Sequence, residues 1–336
     1  MFRALAEEVP LNPSLSQRFS TRRLSAGSVD SATGVYITNF IRAPNRDRLY
    51  YAWQTIIADY SERALTILSD KLPAISGLAK VLLRACNSDT ERYLAGLWYE
   101  NLPWGLLWYV CGPPIHFRPS SPAIAPSWSW ASLVGRIEYF CNSYQFGFAS
   151  NVKILEAGCL LRSTDPTGAV RGGFIRLEGC LIPVSLRIET TDSPTQSEYT
   201  GKAGCASRAS PNTTVSVSSV SSQRSRWYEI LYDEIRWDST AHTPQLETQS
   251  VRDREFFCLE IGASFDRKLY GHTARFRTLG YGSRMWWLVL EATTQNDGSR
   301  AYRRVGLGYW HMKMSTSDTG LYYLFDGAYP QEVTLI

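Results

Sequence analysis

The sequence predicts an α+β protein: an N-terminal helical layer packed on a mainly antiparallel β-sandwich or barrel-like unit. Three observations lead there. Leu49, Trp53, Ile56, Ile57 and Tyr60 recur at helical spacing, an apolar stripe along one helix face. After Pro126 the pattern turns to short alternating runs punctuated by glycine, as strands require. The 336 residues are 44% hydrophobic and 20% charged, globular values with ample chain for a core.

Residues 1–45 form a polar lead-in with no sustained period and read as mostly irregular. The first helix begins at Arg46. A second starts near Ser69 or Asp70, where a capping residue precedes Pro73, and buries Leu72, Ile75, Ala79 and Leu82. A third is expected from Thr90 to Trp98, with Tyr93, Leu94, Leu97 and Trp98 inward. Pro103 opens a last short turn carrying Trp104, Leu107 and Trp108. Residues 46–125 are thus read as a helical segment and 126–336 as a β-rich domain.

The β domain opens with Ala125-Pro126-Ser127-Trp128-Ser129-Trp130-Ala131-Ser132. Two tryptophans two residues apart among small residues read as a strand with both indoles on one face. Further strands are expected at Ile137–Cys141, Val152–Ile154, Phe174–Cys180, Arg226–Ile235, Glu255–Ile261, Met285–Glu291, Tyr302–Tyr309 and Leu321–Phe325. Residues 190–226 are dominated by Ser, Thr, Gly and Pro. That composition buries too little apolar surface to offset its ordering entropy, and it reads as a disordered insert between two strands.

Composition also narrows function. A formal charge of +4, from 35 basic and 31 acidic residues spread along the chain, is too mild for a nucleic-acid partner. The start Met1-Phe2-Arg3-Ala4-Leu5-Ala6-Glu7-Glu8 turns acidic before an apolar run develops, unlike a secretory signal. No run approaches the roughly 18 apolar residues that span a bilayer. Seven cysteines, an odd number and widely spaced, fit reduced thiols. The expectation is a cytoplasmic protein with no membrane partner. His116, His242, His272 and His311 are far apart, and no pair has metal-ligand spacing, so neither metal nor cofactor is expected.

Four blocks stand out in order. The first runs from Trp53 through Tyr60-Ser61-Glu62-Arg63 to Asp70-Lys71-Leu72-Pro73. The second is Tyr93-Leu94-Ala95-Gly96-Leu97-Trp98, followed by Leu106-Leu107-Trp108. The third carries Trp128 and Trp130. The last joins Trp287-Leu288-Val289-Leu290-Glu291 to Tyr302-Arg303-Arg304-Val305-Gly306. Together they resemble the region that follows the HET domain in fungal heterokaryon-incompatibility proteins. The HET domain's own signatures, a Ser-Tyr-x-Trp-Gly motif and a closing Gly-Trp, are absent from the sequence. The resemblance is therefore to a truncated, Trp-rich C-terminal region without the effector domain.

The resemblance implies allorecognition and programmed cell death as the whole-protein process. It implies a non-enzymatic part that supports or regulates the effector domain and meets a protein partner, either that domain or another fungal protein. It marks Trp53, Tyr60, Arg63, Asp70, Trp98, Trp128 and Trp130 as signature residues with structural roles. The residues themselves suggest that Arg63 and Asp70 form a salt bridge or cap between consecutive helices.

The partner is expected at the lead-in and first helix. There Phe19, Val35, Ile37, Phe40, Ile41, Leu49 and Tyr50 alternate with Arg22, Arg23, Arg42 and Arg48, a surface that a preceding domain could cover.

An alternative comes from another class. A β-rich fold with eleven tryptophans could be a carbohydrate-active protein, either glycosidase or sugar-binding module. Asp233, Glu234 and Asp238 beside Tyr232 and Trp237 are then the candidate carboxylates, with Glu178 and Glu260 in strand-like runs. The tryptophans at 53, 98, 108, 128 and 130 fall on apolar faces instead and read as core.

Overall fold

The computed structural model describes residues 45–63, 65–86, 92–110, 124–139, 146–190, 213–219, 226–231, 235–237, 255–270, 283–311, 324–325 and 327–336. Helix α1, Arg46–Ser61, is capped by Asn45, whose side chain accepts from the Arg48 N–H at 2.8 Å. It buries Leu49, Trp53, Ile56 and Ile57 as its stripe requires. A 3₁₀ turn, Leu68–Asp70, leads into α2, Lys71–Cys86. Leu72, Ile75, Ala79 and Leu82 of α2 are buried, the face expected from its period.

The expected third helix is a hairpin instead. Strands β1 (Tyr93–Leu94) and β2 (Leu97–Trp98) pair antiparallel, Tyr93 opposite Trp98 and Leu94 opposite Leu97. The reason is the turn: Ala95 has φ 46° and Gly96 φ 98°, the two left-handed positions of a type I′ connection. All four flanking residues are still buried. A 3₁₀ turn and the four-residue α3, Leu102–Gly105, follow, with Pro103 in the first turn. Trp108 then opens β3, Trp108–Val110, which pairs with β4, Ile137–Tyr139. The segment 46–125 is accordingly mixed rather than all helical.

Trp128 and Trp130 do not lie on a strand. Residues 127–132 form a turn and a 3₁₀ helix, Trp130–Ser132, capped by Ser129, whose hydroxyl accepts from the Ala131 N–H at 3.1 Å. Serine at a cap competes with the ladder for backbone partners, and here it wins.

Among the described residues, ten strands form one sheet. They are β5 (Phe146–Ser150), β6 (Lys153–Leu161), β7 (Val170–Thr190), β8 (Thr213–Ser219), β9 (Arg226–Leu231), β10 (Ile235–Trp237), β11 (Phe256–Asp266), β12 (Arg284–Thr294), β13 (Arg300–His311) and β14 (Pro330–Leu335). A last four-residue helix, α4 (Arg267–Tyr270), follows β11.

The pairings close on themselves. β11 pairs β12, β12 pairs β13, β13 pairs β14, β14 pairs β7, and β7 returns to β11. This ring is the barrel-like alternative, and only the β13–β14 pair, through Tyr302 and Leu335, is parallel. Its inside is apolar, with Ile175, Leu177, Leu259, Leu288, Leu307, Val333 and Leu335 buried. A Cβ on Gly179 would stand 2.7 Å from Val152 and 3.2 Å from Leu259, so the backbone there must approach its neighbours closely.

Thr213–Ser219, in the stretch expected to be a disordered insert, is a paired strand: it lies between β7 and β9. Val215 and Val217 alternate with Ser and Thr there, and alternation rather than average polarity decides strand formation. The remainder of that stretch, apart from the end of β7 and the start of β9, lies outside the described residues. So does the lead-in to residue 44. Helix α1, the hairpin, the Ser127–Ser132 turn and the inside of the ring share one continuous core, so the helical layer and β unit pack as one body.

Candidate functional site

Three of the signature residues, Trp53, Trp98 and Trp130, converge on the β1–β2 hairpin. Its turn points two carbonyls into the core, where water cannot serve them. The indole N–H of Trp53 donates to the Gly96 carbonyl at 2.8 Å, and that of Trp130 donates to the same oxygen at 3.0 Å. Ser129 Oγ donates to the Ala95 carbonyl at 2.5 Å. Helix α1 and the Ser127–Ser132 turn are thus tied to one another through a two-residue loop. A Cβ on Gly96 would fall inside the Trp130 indole. Trp53, Tyr93 and Trp98 meet edge to face at centroid distances of 5.2–5.7 Å, the favoured aromatic arrangement.

Tyr60 meets Trp130 edge to face at 6.1 Å and donates its hydroxyl to the Lys71 carbonyl at 2.9 Å. Burial, then the nearby Asp70 charge, raises the Tyr60 pKa. Lys71 itself is 4% exposed. Its ammonium donates to the Leu133 carbonyl and lies 5.1 Å from the Trp130 ring centroid. Burial pulls its pKa down to about 8, because desolvation disfavours the charged form.

The salt-bridge form of the expected Arg63–Asp70 link is not among the ion pairs of the described residues. Arg63 pairs instead with Asp59, one helical turn back, at 2.6 Å, where i,i+4 spacing puts the two side by side. Asp70 ends the 3₁₀ turn ahead of α2.

Trp108 and Trp128 join the layer to the ring. The Trp108 indole donates to the Trp128 carbonyl at 3.0 Å. Arg304, on β13 and 0% exposed, donates through Nη1 to the Leu106 carbonyl at 2.7 Å and through Nη2 to the Trp108 carbonyl. Its guanidinium stacks 3.4 Å from the Trp108 ring centroid. Planar stacking with two parallel donors is what arginine does and lysine cannot. The Tyr139 pKa is raised by burial, and the Arg304 charge offsets part of that rise.

Ser127 closes the seam where β13 and β14 part. Its hydroxyl accepts from the Arg304 N–H at 3.0 Å, and both its N–H and its Oγ donate to the Ile336 carbonyl. The Ile336 N–H donates to the Tyr302 carbonyl at 3.0 Å.

Sequence reasoning placed five core tryptophans correctly: Trp53, Trp98, Trp108, Trp128 and Trp130 are all buried. It passed over Lys71, Ser127, Ser129 and Arg304 as individual groups. The usable signal for Arg304 was the Arg303-Arg304 pair inside a strand, where alternation sends one residue inward: Arg303 is exposed and Arg304 buried. Leu49, expected on a partner-covered surface, is in the core, and Tyr50 is half-buried.

Of the alternative's carboxylates, Asp233, Glu234 and Asp238 lie outside the described residues. Glu178 is exposed on β7 and Glu260 is buried on β11, so those two do not share an open cleft.

Among the described residues, no group of three or more His, Cys, Asp or Glu side chains could hold a metal ion. Cys159, Cys180 and Cys258 are free thiols. No helix of the described residues is long and apolar enough to cross a membrane. No family model matches the sequence, and no curated protein or solved structure matches it either.

Proposed function

We propose that this chain is a non-enzymatic platform of the heterokaryon-incompatibility type, supporting or regulating a HET effector domain in fungal allorecognition and cell death. The observation that supports this reading is the convergence of its four sequence blocks. Trp53 and Trp130 meet at the Gly96 carbonyl, Arg304 meets the Leu106 and Trp108 carbonyls, and the Trp108 indole reaches the Trp128 carbonyl, so distant blocks are joined through backbone oxygens. Side chains used in this way fix a shape, and a fixed shape is what a supporting or restraining surface needs. The partner is the effector domain or another fungal protein, and the setting is the cytoplasm.

The test uses the full chain expressed in fungal cells, alone and with a separately supplied HET domain. The expected result is no cell death from the chain alone and co-purification of the two proteins when both are present. Cell death from the chain alone would overturn the supporting role, and failure to co-purify would overturn the partner.

A further inference from the structure

Strand β11 changes neighbour in mid-course. Along one edge, Phe256–Leu259 pair with Leu181–Val184 of β7, and Gly262–Asp266 pair with Phe146–Ser150 of β5. Between the two ladders lie Glu260 and Ile261, at a register shift in the β11–β12 pairing. One residue spans the gap: the Asn151 N–H donates to the Ile261 carbonyl at 2.9 Å, and its side-chain amide donates to Glu260 Oε2. The other carboxyl oxygen, Oε1, is buried with no hydrogen-bond partner, in a residue only 1% exposed.

A lone buried carboxylate with one neutral donor is costly, whereas the protonated acid is tolerated. Among the described residues, the neighbours offer no charge to offset it. From β7 the facing group is the Cys180 thiol, whose pKa is raised by burial and then by Glu260. From β12, Trp287 stands opposite Glu260 in register with its indole N–H also unpartnered. Along β11 itself, the Cys258 thiol is buried, and burial raises its pKa. The link after β5 supplies only the Asn151 amide. Next along the β6–β7 ladder, Lys153 and Glu178 are opposite each other and exposed to water. Burial pushes the Glu260 pKa up to about 7, against a smaller lowering by the Asn151 bond.

We propose that Glu260 is a proton-controlled latch on the β11 seam: its neutral form holds β5 and β7 against β11, and its ionised form loosens both. The latch concerns the ring alone and stands independently of the supporting role proposed above. Going from pH 6 to pH 8 takes the ionised fraction from about one tenth to about nine tenths for a group titrating near 7. The ionised form demands water, and at Glu260–Ile261 this edge of β11 has no ladder partner from β5 or β7 to hold water out.

Amide hydrogen exchange on the full chain at pH 6 and pH 8, corrected for intrinsic rates, tests it. Peptides covering 146–152 and 256–263 should exchange several-fold faster at pH 8, while those in β12 hold their protection. In Glu260→Gln, which keeps the shape and cannot ionise, the seam should be equally protected at both pH values. Should that variant not fold, carbon-13 NMR of Glu-labelled wild-type protein gives the same answer through a carboxyl that titrates near pH 7 together with the seam amides. Seam protection independent of pH in the wild type, or an unchanged pH response in Glu260→Gln, overturns the proposal.

Discussion

Two buried cations among the described residues, Arg304 and Lys71, carry much of the specificity of the helix–sheet junction, and both donate to backbone carbonyls. Arg304 gives its charge to two carbonyls and the Trp108 face. Lysine there keeps the charge but loses the fork and the stacking. Arg304→Lys should therefore cost about 2–3 kcal/mol in urea denaturation, the worth of a charged hydrogen bond. A midpoint equal to wild type would show that the guanidinium geometry is not needed. Lys71 is the opposite case, a charge the fold tolerates rather than wants. Its folded pKa of about 8 lies below the ordinary 10.5. Between those values the unfolded chain keeps a proton that the folded chain has released. Stability should thus rise with pH in that window, by ~1.4 kcal/mol per unit from this group, and be flat from it on either side. Lys71→Met should lack this slope when midpoints are compared between pH 7.5 and 9.5. An identical slope in the variant would mean that another group titrates.

At the scale of elements, the hairpin turn is the point on which the helical layer hangs. Gly96 combines a left-handed backbone with the Trp130 indole on the side where a Cβ would stand. Gly96→Ala should cost about 3 kcal/mol, from left-handed strain plus overpacking. Gly77, in the middle of α2, has nothing within 4 Å of its Cβ position. Gly77→Ala should instead stabilise by about 0.5–1 kcal/mol, since alanine suits a helix interior better. Thermal melts of the pair give opposite signs if the local readings hold, and two shifts of the same sign would refute one of them. The same contrast explains what could be read from sequence. Helices α1 and α2 were legible because their apolar residues keep one period over four turns. The hairpin was misread because Tyr93, Leu94, Leu97 and Trp98 fit helical spacing and an inward-facing tight hairpin equally well, and only Ala95-Gly96 decides between them. Trp128 and Trp130 mimic strand alternation, but a serine hydroxyl captures the backbone N–H two residues on. Strands β5 and β14 passed unnoticed for another reason: β5 turns Gly147 and Ala149 inward rather than its phenylalanines, and the apolar residues of β14 that are buried are Val333 and Leu335.

For the whole molecule, the junction was legible in kind, as buried tryptophans, but not in connectivity. No spacing rule reveals that Ser127 caps a seam formed by β13 and β14, which are remote from it in sequence and meet only through the ring. That ring makes a last prediction. A closed set of strands has no free edge at its seam as long as something covers the place where the ladders part. Here the cover is one serine, which accepts from Arg304 and donates to Ile336. Ser127→Ala leaves the buried Arg304 N–H without its acceptor and should cost about 1–3 kcal/mol. The more telling readout is where that loss appears. Because β14 is held on one side by β7 and on the other by little more than this seam, amide exchange should accelerate in peptides covering 330–336 and 300–305. The β11–β12 ladder, on the far side of the ring, should keep its protection. Uniform acceleration through all strands would mean that the sheet opens only as a unit. Unchanged exchange in β14 would mean that Ser127 is a passenger at the seam.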